Sequence, residues 1–367
     1  MRALIVSHFY SNPDHRGKLR ALAGQGVEVM AALPGGSAGL DSGVRLTPVS
    51  VSGDPEVPEM LKWDGAALRR AISDFHPDLI QVEESPVSPV AAAVAAAARR
   101  MGIPYVLFSW DSLSRRRGFL EQRRARSVMR HAAGVIGGNR FALALLREHA
   151  PDAETAVLPQ SGMSPTAPVT RNTDRRGLGL GLVGRLVPER GGETLLRACG
   201  QLLGPWTLTV VGTGPEQESL EALAQRLGLA SRIRWLGGIP KRELDEVWND
   251  LDCLVVPSRD TSTWVERSSP TLLEAMVRGV VPVVTRAGAL PEIVGDAGVV
   301  VDDAESLTLA LQELMAEPDR LRVLGQRARQ RVLEEYVDSA VAQRTLAFWA
   351  QVLARFKSHD AHLTEAP

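Results

Sequence analysis

The feature that most constrains this chain is an alternation that runs, stops once and starts again: short apolar, β-rich runs, each followed by a segment of helical period. In the first half the pattern predicts strands over residues 3–7, 27–33, 78–82, 104–108, 134–136 and 156–158. Helices are predicted between them over 18–23, 60–75, 89–101, 119–132 and 140–149. Continuous apolar strands joined by helices mean a parallel sheet covered on both faces. From 161 to 177 the period is lost in Pro, Thr, Ser, Asn and Arg, as in an interdomain linker. It resumes with strands over 178–183, 206–211, 232–236, 253–256, 281–285 and 299–301, a helix following each of the first five.

Two βα-repeating halves joined once suit 367 residues, too many for one ordinary α/β domain. The expected architecture is α/β, with two Rossmann-like, doubly wound parallel-sheet domains facing a central cleft. The boundaries fall at 1–170 and 171–338. Helical patterns over 304–315, 318–336 and 339–356 close the chain. The last, carrying Phe348 and Trp349, is expected to cross back onto the first domain, the alternative being a plain terminal helix within 339–367. From Lys357 the tail is polar and expected to fray.

Composition excludes more than it selects. Lys plus Arg (42) balances Asp plus Glu (43), so no global field argues for a nucleic-acid partner. Cys199 and Cys253 lack metal-ligand spacing and read as buried thiols rather than a disulfide. No run approaches the roughly 20 apolar residues that span a bilayer, and the short apolar start reads as a strand rather than a leader. A cytoplasmic protein is expected.

Three segments carry chemistry. Trp264-Val265-Glu266-Arg267-Ser268-Ser269-Pro270-Thr271-Leu272-Leu273-Glu274 places two glutamates across a loop-to-helix transition. Ser268 or Ser269 suits the cap and Pro270 the first turn. Both carboxylates can face one ligand at that helix start; the alternative is a capped surface helix with solvated glutamates. Val183-Gly184-Arg185-Leu186-Val187-Pro188-Glu189-Arg190-Gly191-Gly192 follows a strand and sets two guanidiniums five apart. Such forks suit a diphosphate, or are ordinary surface arginines. Val211-Gly212-Thr213-Gly214-Pro215 permits close backbone approach but is not a complete dinucleotide fingerprint. All three stand at C-terminal strand ends, where open α/β sheets bind ligands.

Together with Trp235-Leu236-Gly237-Gly238, Val256-Pro257-Ser258, Glu274-Ala275-Met276, Gly279-Val280-Val281-Pro282-Val283-Val284 and Pro291-Glu292-Ile293-Val294-Gly295-Asp296-Ala297-Gly298, these motifs resemble glycosyltransferase family 4, of GT-B fold, over nearly the full length. The resemblance implies a retaining hexosyltransferase that uses a UDP- or GDP-linked sugar and needs no metal or other cofactor. It implies that Arg185 and Arg190 hold the donor diphosphate and stabilise its departing charge. Glu274 would take the ribose hydroxyls, Glu266 the transferred sugar, and Gly237, Gly238 and Ile239 the base. Gly184, Gly212, Ser269, Thr271 and Leu272 would complete the donor side. A glycosidase-like acid and nucleophile role for the two glutamates is set aside on that resemblance.

The chain departs from the family in three places. Arg190 stands where Lys is common, Ser268-Ser269 before Pro270 where Phe-Gly is frequent, and a single Gly17 where relatives pair glycines near the donor phosphates. Arg16 and Lys18 beside Gly17 either replace glycine amides with charge or are solvated. His8, Arg16, Glu83, Glu84, Trp110 and Asp111 are the acceptor-side candidates, with Asp111 or the glutamates orienting an acceptor hydroxyl; core packing and capping are the alternatives. The acceptor itself (glycan, lipid-linked or small molecule) is not named by these residues. Residues 115–130, with Arg115, Arg116, Arg117, Arg123, Arg124, Arg126 and Arg130 among Phe119, Leu120, Val128 and Met129, form an amphipathic basic segment. It either makes a peripheral contact at the inner membrane face or is a solvated helix face. Two other functions remain open: a catalytically silent binding or scaffold subunit, and a nucleotide-sugar epimerase.

Overall fold

In the computed structural model, which describes residues 1–54, 57, 61–111, 118–170 and 177–364, the first strand, β1 (Arg2–Val6), shows why its run is apolar at every position. Leu4 and Val6 enter one core with Ile80, Val82 and Leu107, while Ala3 and Ile5 enter a second core on the opposite face with Leu79, Val106 and Phe108. A strand buried on both faces has no polar side to spare.

Nine further strands follow in this half: β2 (Glu28–Pro34), β3 (Gly39–Asp41), β4 (Val44–Val49), β5 (Val51–Ser52), β6 (Lys62–Trp63), β7 (Leu79–Val82), β8 (Tyr105–Ser109), β9 (Gly134–Gly137) and β10 (Glu154–Val157). Seven of these join β1 in one eight-stranded sheet, in the order β10-β9-β8-β7-β1-β2-β4-β3, while β5 and β6 pair separately. Its pairs are parallel except β3 with β4. The order reverses at β1, so the C-terminal ends of β1 and β7 flank the point where such sheets bind ligands. The second half carries β11 (Leu178–Val183), β12 (Trp206–Val211), β13 (Ile233–Gly237), β14 (Cys253–Val256), β15 (Val281–Thr285) and β16 (Val299–Val301). They form an all-parallel sheet in the order β13-β12-β11-β14-β15-β16, reversing between β11 and β14.

The chain divides into two compact units, Met1–Ser164 with the segment from Tyr336 onward, and Pro165–Glu335. The sequence pattern places these divisions after 170 and 338. The last helix, Asp338–Thr364, belongs to the first unit. Its Phe348, Trp349 and Val352 lie in the core that contains Ala3 and Ile5, and the buried Trp349 donates its indole Nε1–H to Gln81 Oε1 at 2.6 Å. Trp349→Phe keeps an aromatic ring in the core but shortens the indole to a phenyl and leaves that buried oxygen without its donor. It is expected to lower stability by about 1–3 kcal/mol in chemical denaturation.

Three sequence expectations are corrected. The tail from Lys357 does not fray at once: the helix runs on to Thr364, because no proline or glycine interrupts 338–364. The helix expected from 60 begins at Gly65, where the Asp64 carboxylate accepts the N–H groups of Ala66 and Ala67; residues 58–60 lie outside the described set. The apolar pattern gives no sign of β3 to β6, since these short strands are only partly buried and show no clean apolar period. Cys199 and Cys253 are buried and unbridged, and burial pushes the Cys199 thiol up to about 12. Among the described residues no helix is long and apolar enough to cross a membrane.

Candidate active site

In the second unit the ends of β11, β12 and β13 are tied together by backbone alone. Gly184 N–H donates to Val211 O at 2.9 Å and Gly212 N–H to Gly237 O at 2.7 Å. Gly212 has φ +126°, and a Cβ there would come within 1.9 Å of Gly184 O. Only glycine allows the two turns to stack so closely.

The chain then crosses toward β14. Leu186 N–H is held by Thr213 O at 3.0 Å, and a 3₁₀ turn over Pro188–Arg190 ends at Gly191, φ +68°. A Cβ on Gly191 would lie 1.9 Å from Pro257 O, so this turn is seated directly on the end of β14. That seat brings Arg190 to Glu266, Nη1 donating to Oε2 at 2.7 Å. Ser258 Oγ–H donates to the same oxygen at 3.1 Å. Glu266 is 3% exposed and Arg190 32%, with the Trp264 ring 5.7 Å from the guanidinium carbon. The Glu266 backbone is fixed too, its carbonyl accepting Ala289 N–H at 2.8 Å. Burial pushes the Glu266 carboxyl above its usual range, Arg190 and the Ser258 hydrogen bond oppose this, and Asp260 adds to it.

The residues around this pair fall on three elements. Arg185 is exposed and lines a small pocket with Gly184, Leu186, Val187, Glu216 and Pro257. Glu274 sits one turn into the helix Pro270–Val277, partly exposed, with Lys241 Nζ 3.4 Å from its Oε1. Ser269 occupies the capping position of that helix and is buried, but its side chain makes no capping hydrogen bond. Thr271 is half-buried in the first turn and Leu272 fully buried. Gly237, φ +65°, turns the chain into Gly238 and the half-buried Ile239.

In the first unit the candidates separate. His8 follows β1, and its Nδ1 lies 2.8 Å from Glu84 Oε1, which also accepts the His8 backbone N–H at 2.6 Å. Glu83 points elsewhere: its Oε1 accepts Lys18 Nζ at 2.6 Å and Gln81 Nε2 at 2.5 Å, with both members of the ion pair fully buried. Lys18 is therefore neither a replacement for a glycine amide nor solvated. Arg16 is turned into its own loop, on Tyr10 O, Ser11 O and Asp41. Gly17 faces the Asp338 carboxylate, which a Cβ would meet at 2.0 Å; an anion there is the opposite of what a phosphate seat needs. Trp110 donates Nε1–H to Gln160 at 2.9 Å and packs against Gly138. Asp111 accepts Ser85 Oγ–H at 3.3 Å.

Of the basic segment, Arg115 to Arg117 lie outside the described residues. In the helix Phe119–Arg130, Arg123, Arg124, Arg126 and Arg130 are exposed while Val128 and Met129 are buried. Phe119 departs from the amphipathic expectation, at 76% exposure.

Comparison with known proteins matches both units. The model described as "Glycosyl transferases group 1" covers residues 176–331, and "Glycosyl transferase 4-like domain" covers 16–160. The chain belongs to the family 4-like glycosyltransferases. All the second-unit residues above fall in the first match, and His8 precedes the second. The family member from Mycolicibacterium smegmatis named GDP-mannose-dependent alpha-(1-6)-phosphatidylinositol monomannoside mannosyltransferase is 34% identical over 179 residues, 45% of this chain and 47% of that one. The match thus spans about half the length of that relative. Among solved structures, sucrose-phosphate synthase from Thermosynechococcus elongatus aligns over 97% of this chain and all of its own, at TM-score 0.68 and 19% identity. Anabaena HepE in complex with UDP aligns over 96% and 100%, at 0.69 and 18%. At that identity the likeness establishes the fold, which is GT-B.

The sequence motifs assign no role to Ser258, Thr285 or Trp264, and Lys241 lies outside all of them. Ser258 had a signal, since Val256-Pro257-Ser258 is one of the matching motifs. Lys241 had none, because the carboxylate it meets lies 33 residues away.

Proposed function

We propose that this family 4-like chain is a retaining glycosyltransferase, moving a hexosyl group from a UDP- or GDP-linked sugar to an acceptor hydroxyl without a metal. The observation that carries it is the closure of Arg190 on a buried Glu266 at the end of β14. A pair of surface groups would need neither burial nor the glycine-seated turn that brings them together. In this reading Arg185 and Arg190 hold the diphosphate and stabilise the charge that develops on it. Glu266 contacts the transferred sugar, Glu274 the ribose hydroxyls, and the Gly237–Gly238–Ile239 backbone the base. His8, Glu84 and Asp111 are the acceptor-side groups. The named donor of the mannosyltransferase relative and the UDP of the HepE complex keep both bases in view.

The test is a thermal-shift panel of UDP, GDP, the matching monophosphates and their sugar derivatives. One diphosphate at about a hundred times its Kd is expected to stabilise the chain by roughly 2.7 kcal/mol, and its monophosphate by much less. No shift with any nucleotide at millimolar concentration would overturn the reading in favour of a silent binding or scaffold subunit. Formation of an isomeric nucleotide sugar from donor alone would favour the epimerase.

A further inference from the structure

The motif Val256-Pro257-Ser258 supplies no donor contact in the reading above, yet it touches Glu266 and the turn that carries Arg190. Pro257 O is the surface on which Gly191 rests, and Arg190 is the residue before Gly191. Ser258, 1% exposed, gives its hydroxyl proton to Glu266 Oε2 at 3.1 Å, the oxygen that also takes Arg190 Nη1. Ser258 is itself fixed from β15, because the buried Thr285 hydroxyl donates to its carbonyl. One dipeptide therefore sets the height of the arginine's turn and the rotamer of the glutamate's carboxylate.

We propose that Ser258, braced by Thr285, is a positioning residue that holds Glu266 Oε2 where Arg190 closes on it, so that the two groups are set before a donor arrives. This rests on the donor-site reading of Arg190 and Glu266. A carboxylate in a nearly dry site needs its lone pairs met. Arg190 alone, one-third exposed on a long side chain, would fix neither its own position nor the carboxylate's. The buried hydroxyl supplies a second, short-tethered donor from a strand end. It also opposes the upward pull of burial on the Glu266 carboxyl, after Arg190.

The experiment uses the full chain and two readouts. The first is the titration of the Glu266 carboxyl by ¹³C NMR, its resonance assigned with Glu266→Gln. The second is release of nucleoside diphosphate from UDP-glucose and GDP-mannose. In Ser258→Ala the Glu266 titration is expected to move to higher pH and kcat to fall about tenfold, the scale of a hydrogen bond to a charged group. The acid limb of the rate should move the same way. Ser258→Thr, which keeps the hydroxyl, is expected to recover most of the loss. Thr285→Val, which removes only the brace, should give a smaller change of the same sign and stands in if Ser258→Ala does not fold. Added to Glu266→Gln, Ser258→Ala should cost nothing further, because its route to the donor is already gone.

An unchanged Glu266 titration in both Ser258→Ala and Thr285→Val, or losses that multiply independently in the double variant, would overturn the proposal. Full turnover in Glu266→Gln would instead sink the donor-site reading, and a shifted Glu266 titration in Ser258→Ala would still show the positioning contact.

Discussion

Arg190→Ala is expected to lower turnover of the nucleotide sugar by about 10²–10³-fold, the usual scale for removing one preorganised charge-stabilising group. Two effects combine in that loss. The positive charge that would meet the departing diphosphate is gone, and Glu266 is left buried with Ser258 as its remaining donor. Because Arg190 is the main influence opposing burial at that carboxyl, Glu266 should hold its proton to higher pH in the variant. In the native chain its folded value is already raised, so activity that needs the carboxylate is lost as pH falls through that raised value, earlier than for an ordinary glutamate. The acid limb of the rate should move further up in Arg190→Ala. Arg185→Ala makes the useful contrast: Arg185 is exposed and has no bond to Glu266. It should lose turnover on a similar scale with the limb unmoved. Arg190→Lys keeps the positive charge that would meet the diphosphate and is expected to retain most activity. Turnover in Arg190→Ala within about threefold of the native rate would remove this arginine from the mechanism.

Much of the fold was written in the sequence where burial is two-sided. Leu178–Val183, Trp206–Val211, Cys253–Val256, Val281–Thr285 and Val299–Val301 end where their apolar runs end, because a strand covered on both faces changes composition abruptly at its last buried residue. Where cover is one-sided the signal fails. β4 alternates poorly, its buried ends Val44 and Val49 enclosing exposed and half-buried positions, and its pairing with β2 over six residues is set by the sheet rather than by its own pattern.

The site divides the same way. The segment Gly212-Thr213-Gly214 signals close backbone approach, and Gly212 against Gly184 and Gly214 against Leu186 are such approaches, whereas the seat of Gly191 on Pro257 has no sign of its own in the sequence. The direct bond between Arg190 and Glu266 is not legible in the sequence, since the two motifs point each residue to a different part of the donor and they lie 76 positions apart. In the first unit the misreadings concern charge. Arg16, Lys18 and Glu83 look like solvated or cleft-facing groups along the chain, and only the sheet, with β7 beside β1 and β3 at the other edge, shows that Lys18 meets Glu83 and Arg16 meets Asp41.

Lys18→Met tests that buried charge most sharply. Lys18 is 1% exposed and Glu83 wholly buried, with 2.6 Å between Nζ and Oε1. Met keeps the stem that packs in the core and removes the ammonium. Glu83 would then retain Gln81 Nε2 as donor to one oxygen, while its Oε2 already has no partner. Leaving one member of a buried pair uncompensated costs about 3–5 kcal/mol, which for a unit of this size is a drop in Tm of roughly 10 °C. The loss should come from the stranded charge rather than from the missing lysine. Glu83→Gln in the Lys18→Met background is therefore expected to recover most of it, because a neutral, hydrogen-bonded pair carries no comparable desolvation cost. Thermal and chemical denaturation of the single and double variants decide the matter. A cost below about 1 kcal/mol for Lys18→Met, or a double variant no more stable than the single, would mean that this pair is not what anchors β7 to the helix Gly17–Gly24. If the expected pattern holds, the charge beside Gly17 is a strut of the first sheet, tying the end of β7 to the helix Gly17–Gly24.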